Sequence, residues 1–121
     1  MSTESLPVAV QVAYEVWVWL DGRVEGFPAN ARRALGDRLL SESIDLLGDL
    51  VLASYAKRRS ERQRRALEQA SDRVALLRLL LRGARERRYL SIGQHEHVMS
   101  RLVELGRMLG GWKRDANSSA D

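Results

Sequence analysis

The sequence predicts an all-α protein, an antiparallel up-down four-helix bundle, and three observations carry that prediction. Apolar residues recur at i, i+3, i+4 and i+7 in four successive segments. The connections between those segments are short and marked by helix breakers or caps. No later stretch offers a partner strand, so a lone strand would leave its backbone groups unpaired. The 121 residues, 45% hydrophobic and 30% charged, suffice for one core and not for two, which implies a single domain over residues 1–121. The absence of cysteine excludes a disulfide scaffold and thiolate metal sites and fits a reducing cytosol. No apolar run reaches the roughly 18 residues of a membrane span, and Met1-Ser2-Thr3-Glu4 lacks the basic start of a signal peptide. The expected location is therefore the cytoplasm, with no membrane partner.

The first segment carries a local conflict. Val8, Val10, Val12, Tyr14, Val16, Val18 and Leu20 alternate as a half-buried strand would. The same residues also read as a helix, with Val10, Ala13, Trp17, Leu20, Val24 and Phe27 on a core row and Val8, Val12, Val16 and Trp19 on a second apolar row. Helix is the consistent choice, because a strand here would have nothing to pair with. Gly26-Phe27-Pro28 then breaks the chain, with Pro28 suited to a first helical turn. The second helix runs from about Ala29 to about Ala56. Leu35, Leu39, Leu46, Leu50 and Ala53 form one of its rows, Leu40, Ile44, Leu47 and Val51 flank that row, and Asp37, Glu42, Asp45 and Asp49 are expected to be exposed. Ser60 is the candidate N-cap of the third helix. Ser91 and Gln94 match a capping box ahead of the fourth, whose core row is Val98, Leu102, Leu105, Leu109 and Trp112. The small, polar end, about 113–121, is expected to be disordered.

The third helix dominates the electrostatics. Between Lys57 and Arg88 lie twelve basic residues and four acidic ones, whereas residues 1–56 hold four arginines and eight acids. Its core row is Leu67, Ala70, Val74, Leu77, Leu81 and Ala84, and Leu76, Leu79 and Leu80 form an apolar patch facing nearly the opposite way. Two arginine rows run between these faces: Arg58, Arg62, Arg65 and Arg73 on one flank, and Arg64, Arg78, Arg82 and Arg85 on the other. Twelve bases cannot all be matched by Glu61, Glu68, Asp72 and Glu86, so the surplus points to an anionic partner. A pI near 10.1 agrees. Apolar rows on two sides of the first and third helices call for a second copy of the chain, with Val8, Val12, Val16, Trp19, Leu76, Leu79 and Leu80 as the interface residues.

Catalysis has little to stand on. His95 and His97 lie two apart, about 200° around a helix, and cannot chelate one metal from a single face. There is no glycine-rich phosphate loop, no cysteine nucleophile and no serine–histidine–aspartate order, and the carboxylates are spaced as a solvated face. The expectation is no catalytic residue, no metal and no cofactor. Trp17 and Trp19 read as core or interface, and Gly106, Gly110 and Gly111 as sites of close helix approach and a C-terminal cap.

Three groups of residues carry a family resemblance: Leu46-Leu47-Gly48-Asp49-Leu50-Val51-Leu52, Leu77-Arg78 with Leu81-Arg82, and Glu104-Leu105-Gly106-Arg107-Met108-Leu109-Gly110-Gly111-Trp112. Over roughly residues 8–114 the chain resembles the accessory variability determinants of diversity-generating retroelements. These belong to a broader set of four-helix-bundle proteins encoded in ribosomal-RNA intervening sequences, to which Phe27-Pro28 followed by Leu35 is similar. That broader set usually has a proline where this chain has Leu47, a departure that favours the retroelement branch. The resemblance implies a homopentameric barrel of bundles, without enzymatic activity, that binds a reverse transcriptase and template RNA or cDNA and supports mutagenic reverse transcription. Arg58, Arg59, Arg62, Arg65, Arg73, Arg78, Arg82, Arg85, Arg87 and Arg88 are then the candidates for contacting nucleic acid or polymerase. A generic nucleic-acid-binding bundle of the intervening-sequence type and an oligomeric scaffold that touches no nucleic acid are the alternatives.

Overall fold

The structure, a computed structural model, describes residues 6–118, and its four helices follow the expected order. Helix α1 spans Val8–Val24. Helix α2 begins with a short turn at Ala29–Ala31, passes through a π-helical stretch at Arg32–Gly36 and continues over Asp37–Tyr55. Helix α3 spans Glu61–Glu86 and α4 spans Ile92–Ala116. No strand occurs among the described residues. Helix α1 packs on α2 and α4, and α3 packs on the same two. Short connections force each helix to lie antiparallel beside the next, and α4 closes the ring on α1.

Leucine fills the centre. Leu20, Leu39, Leu46, Leu50, Leu67, Leu77, Leu81, Leu102, Leu105 and Leu109 are all essentially without solvent contact, each contributing about 1.5–3 kcal/mol of burial. Two expectations for α1 need correction. Val12 and Val16 are core residues, 3% and 2% exposed, and are not left over for another subunit. Trp17 is half-buried at the margin, its ring edge-on to Tyr14 at 5.8 Å. The reason is that α1 meets two neighbours, α2 and α4. At about 100° per residue the arc from Val12 through Val16, Leu20 and Ala13 to Val24 covers about 120°, so one core takes Val12 and Val16 along with Ala13, Leu20 and Val24.

The helix ends show how local chemistry sets the boundaries. The Ser60 side chain accepts a hydrogen bond from the Gln63 N–H, and Ser91 and Gln94 complete a reciprocal capping box. Helix α3 stops in a Schellman arrangement: the Tyr89 N–H donates to the Ala84 carbonyl at 2.8 Å and the Arg88 N–H to the Arg85 carbonyl at 2.9 Å. The left-handed residue there is Arg88, φ 63°, where glycine would cost about 1 kcal/mol less. The start of α2 is packed tightly under α1. A Cβ on Gly36 would lie 2.6 Å from Cγ1 of the buried Val24, so the π-helical stretch lets the backbones approach closely.

The far end of α4 differs from expectation. The helix continues past Trp112 through Lys113 and Arg114 to Ala116, which is fully buried. The polar composition of residues 113–116 points to disorder because the ion-pair partners are far off in sequence: Arg58 and Arg59 in the α2–α3 turn for Asp115, and Glu68 on α3 for Lys113. Residues 119–121 of that expected tail lie outside the described residues. The glycines of α4 also play a different part. Gly106 has nothing near it, Gly110 and Gly111 meet only the Arg114 guanidinium, and none of the three ends the helix.

Candidate nucleic-acid interface

The basic segment divides into arginines that hold the bundle together and arginines that face outward. Arg73 belongs to the first group. Its Nε donates to Asp49 Oδ2 at 2.8 Å, its Nη1 lies 3.1 Å from Glu42 Oε1, and Asp45 is 3.6 Å away. Glu42, expected on an exposed acidic face, is buried at 6%. The side chain of Asp49 is 13% exposed. A carboxylate can be held there only with a partner; the near one comes from α3, and Arg38 on α2 lies 3.8 Å from Glu42. The Asp49 hydrogen bond in turn raises the already high proton affinity of the guanidinium.

A second group ties down the end of α4. Arg58 grips Asp115 with two parallel hydrogen bonds, Nη2 to Oδ1 at 2.7 Å and Nε to Oδ2 at 3.2 Å. Arg59, held at φ 64°, donates to the Asp115 carbonyl at 3.3 Å. Arg64 donates to the Ala116 carbonyl at 3.3 Å and to the Arg59 carbonyl. Cations at a helix C-terminus satisfy its last carbonyls and complement the helix dipole. The Arg58 hydrogen bond, followed by its charge and the contribution of Arg59, lowers the Asp115 carboxyl below its usual range.

Of the row Arg58, Arg62, Arg65 and Arg73, three members are therefore engaged within the chain, Arg65 through an exposed pair with Glu61 at 3.1 Å. Only Arg62 in that row makes no ion pair among the described residues. Arg58, Arg59 and Arg73 thus have structural partners that the sequence did not reveal, because the acids that pair with them lie on α2 and α4, far away in sequence.

The other flank is open. Arg78, Arg82 and Arg85 line a shallow groove of about 340 Å³ between α3 and α4, together with Leu79, Met99 and His95. Arg78 and Arg85 make no ion pair among the described residues, and Arg82 has only an exposed i, i+4 pair with Glu86 at 3.0 Å. Such a pair is worth about 0.3–0.5 kcal/mol, so Arg82 is readily redirected. Arg88 continues the patch beside Arg85, whereas Arg87 lines a separate hollow against α2; both are exposed and without an ion pair among the described residues. From Arg78 to Arg85 the helix rises about 10 Å, which sets the length of the arginine row. His95, which the sequence spacing marks only as no metal ligand, is part of this groove. Its Nε2 is enclosed and has no hydrogen-bond partner among the described residues. Burial, and then the neighbouring Arg85, lower its proton affinity, with Glu96 opposing.

The apolar interface residues also sort unevenly. Val8 is 60% and Leu79 63% exposed, Leu76 is half-buried, and Leu80 and Trp19 pack partly against the core. Trp19 lies against His97, ring centroids 5.6 Å apart, with the Arg23 guanidinium over the Trp19 ring, 5.5 Å from its centroid. Exposed apolar residues missed in the sequence are Tyr14, Val18, Ile44, Tyr55 and Ile92. Tyr14 and Val18 were visible as part of the alternating pattern in α1, and Ile44 as a flank of the α2 core row. Two apolar grooves, of about 520 and 560 Å³, flank Tyr14 on α1.

No helix among the described residues is long and apolar enough to cross a membrane. No group of histidine, aspartate and glutamate among them could hold a metal ion. What these residues form is a four-helix bundle with an acidic cluster neutralised internally and an arginine-lined groove on the α3–α4 face. The chain belongs to the bAvd-like family, the bacterial accessory variability determinants, whose family model matches residues 8–116. No curated protein and no solved structure matches it.

Proposed function

We propose that the protein is a non-catalytic accessory factor of a diversity-generating retroelement, acting in the cytoplasm, that binds the reverse transcriptase and template RNA or cDNA through its basic surface. The observation that carries the binding role is the groove in which Arg78, Arg82 and Arg85 stand together with almost no acidic partner. Guanidinium groups suit phosphate because they bind it through parallel hydrogen bonds and stay charged at physiological pH. Contacts of this kind read the backbone and not the base, so affinity is largely sequence-independent and falls steeply with salt. Arg88, beside Arg85, extends the same surface, while Arg62 and Arg87 add exposed charge on other sides of α3. Exposed apolar residues on α1 and α2, with Leu79 on α3, support assembly of several copies, five by family resemblance, which would repeat the groove around a ring.

The test is charge reversal at Arg78, Arg82 and Arg85. The triple variant R78E/R82E/R85E is expected to keep its helical signal and lose at least tenfold in RNA affinity at moderate salt. Reversing Arg58 and Arg73 is expected to disrupt the fold, since both hold buried or terminal carboxylates. If the triple variant bound RNA and polymerase like the parent, the nucleic-acid role would fall and an oligomeric scaffold would replace it.

A further inference from the structure

We propose that the α3–α4 groove is a proton-coupled phosphate subsite, in which Arg78, Arg82 and Arg85 take a backbone phosphate of the bound nucleic acid and His95 gains a proton as that phosphate seats. This rests on the nucleic-acid reading above and adds to it a ligand group and a pH dependence.

His95 lines the groove beside the three guanidiniums. Its Nε2 is shut off from solvent and has no hydrogen-bond partner among the described residues, an arrangement that is costly unless something else satisfies the atom. In the free protein the balance opposes a charged imidazole: burial acts first, and Arg85 on α3 acts in the same direction, while Glu96 on α4 acts weakly against them. On the other flank of α4, against α1, the charges are Arg23, held over Trp19 beside His97, and the Arg101–Glu15 pair, all set about His97 and not His95. A phosphate entering among the arginines brings at least one negative charge and oxygen acceptors. It reverses the sign of the local field and offers an ionised acceptor to an imidazolium N–H, a stronger hydrogen bond than a neutral one. The proton comes from solvent, and no covalent bond changes.

The linkage has a definite direction. The bound complex holds the proton more tightly than the free protein, so the extra affinity is fully present below the free-state pKa. It is lost as pH rises through the bound-state pKa. One coupled proton limits the slope to about tenfold in affinity per pH unit.

The experiment titrates a short single-stranded RNA into the full chain by calorimetry, in two buffers of different ionisation enthalpy, across about pH 5 to 8 where histidine titrates. The parent is expected to take up close to one proton per groove near neutrality. His95→Gln should abolish the uptake, and His97→Gln should retain it. RNA binding without uptake, or with uptake unchanged in H95Q, overturns the proposal and leaves the nucleic-acid reading intact. A parallel arm follows the His95 ring by NMR while pyrophosphate is added. A downfield, protonated ring that disappears in R78A/R82A/R85A supports the subsite. If pyrophosphate protonates His95 but RNA does not bind, the subsite serves a free phosphate compound and the nucleic-acid reading is overturned.

Discussion

Arg73→Ala isolates the ion cluster between α2 and α3. Removing the guanidinium leaves Glu42 at 8% and Asp49 at 13% side-chain exposure, with Asp45 nearby and only the exposed Arg38, 3.8 Å from Glu42, as a remaining cation. Breaking a fully buried pair costs about 3–5 kcal/mol. Arg73 itself keeps 29% of its side chain exposed, so water relieves part of the repulsion, and about 2–3 kcal/mol is expected. At about 4 °C per kcal/mol for a domain of this size, the midpoint of thermal unfolding should fall by about 8–12 °C. The control is Arg65→Ala, whose partner Glu61 is 77% exposed. Its cost should stay below about 0.5 kcal/mol. Both would be measured by urea and thermal denaturation at one protein concentration, so that any coupling to assembly is common to the two. Adding Glu42→Gln and Asp49→Asn to R73A should recover a large part of the loss, because the stranded charges are then gone. Equal effects of R73A and R65A, or no recovery, would refute the view that buried carboxylates on α2 require the α3 arginine.

Three further outcomes are expected. Gly36→Ala should destabilise by about 1–3 kcal/mol, because its methyl would meet the buried Val24, while Gly106→Ala, with nothing nearby, should stabilise by about 0.5–1 kcal/mol; denaturation midpoints shifting the same way in both would contradict this. Asp115 has a folded-state pKa lowered by Arg58 and Arg59, so its contribution is present above the ordinary carboxylate pKa and lost as pH falls through the folded value. The protection of amides 114–116, taken relative to the intrinsic exchange rate at each pH, should fall under acid and approach that of Asp115→Asn, which already lacks the full ion pair. Light scattering should find a closed oligomer, since Val8, Tyr14, Val18 and Ile44 are all exposed; a monomer at micromolar concentration would dismiss that assembly.

How much was legible in the sequence varies by level. The helical periods, the Ser60 cap and the Ser91–Gln94 capping box are interactions among residues three to four apart, and all stand in the structure as read. The site was legible only in outline. The surplus of arginine over acid within Lys57–Arg88 is a property of composition, so it located the basic helix without saying which arginines are available.

That selection depends on partners brought together by folding. Arg73 meets Glu42 and Asp49 across the α2–α3 seam, and Arg58 meets Asp115 from 57 residues away. Neither pairing has any period along the chain. The same holds for Val12 and Val16, whose place depends on how wide an arc of α1 its two neighbours cover. Local spacing determined that there would be four helices, where they start and which one is basic, because the backbone hydrogen bond and the apolar stripe are short-range in sequence. Which cations are neutralised, that Glu42 is buried, and that Arg78, Arg82, Arg85 and His95 share one groove were decided only by tertiary packing, because charge pairing and desolvation depend on distance in space.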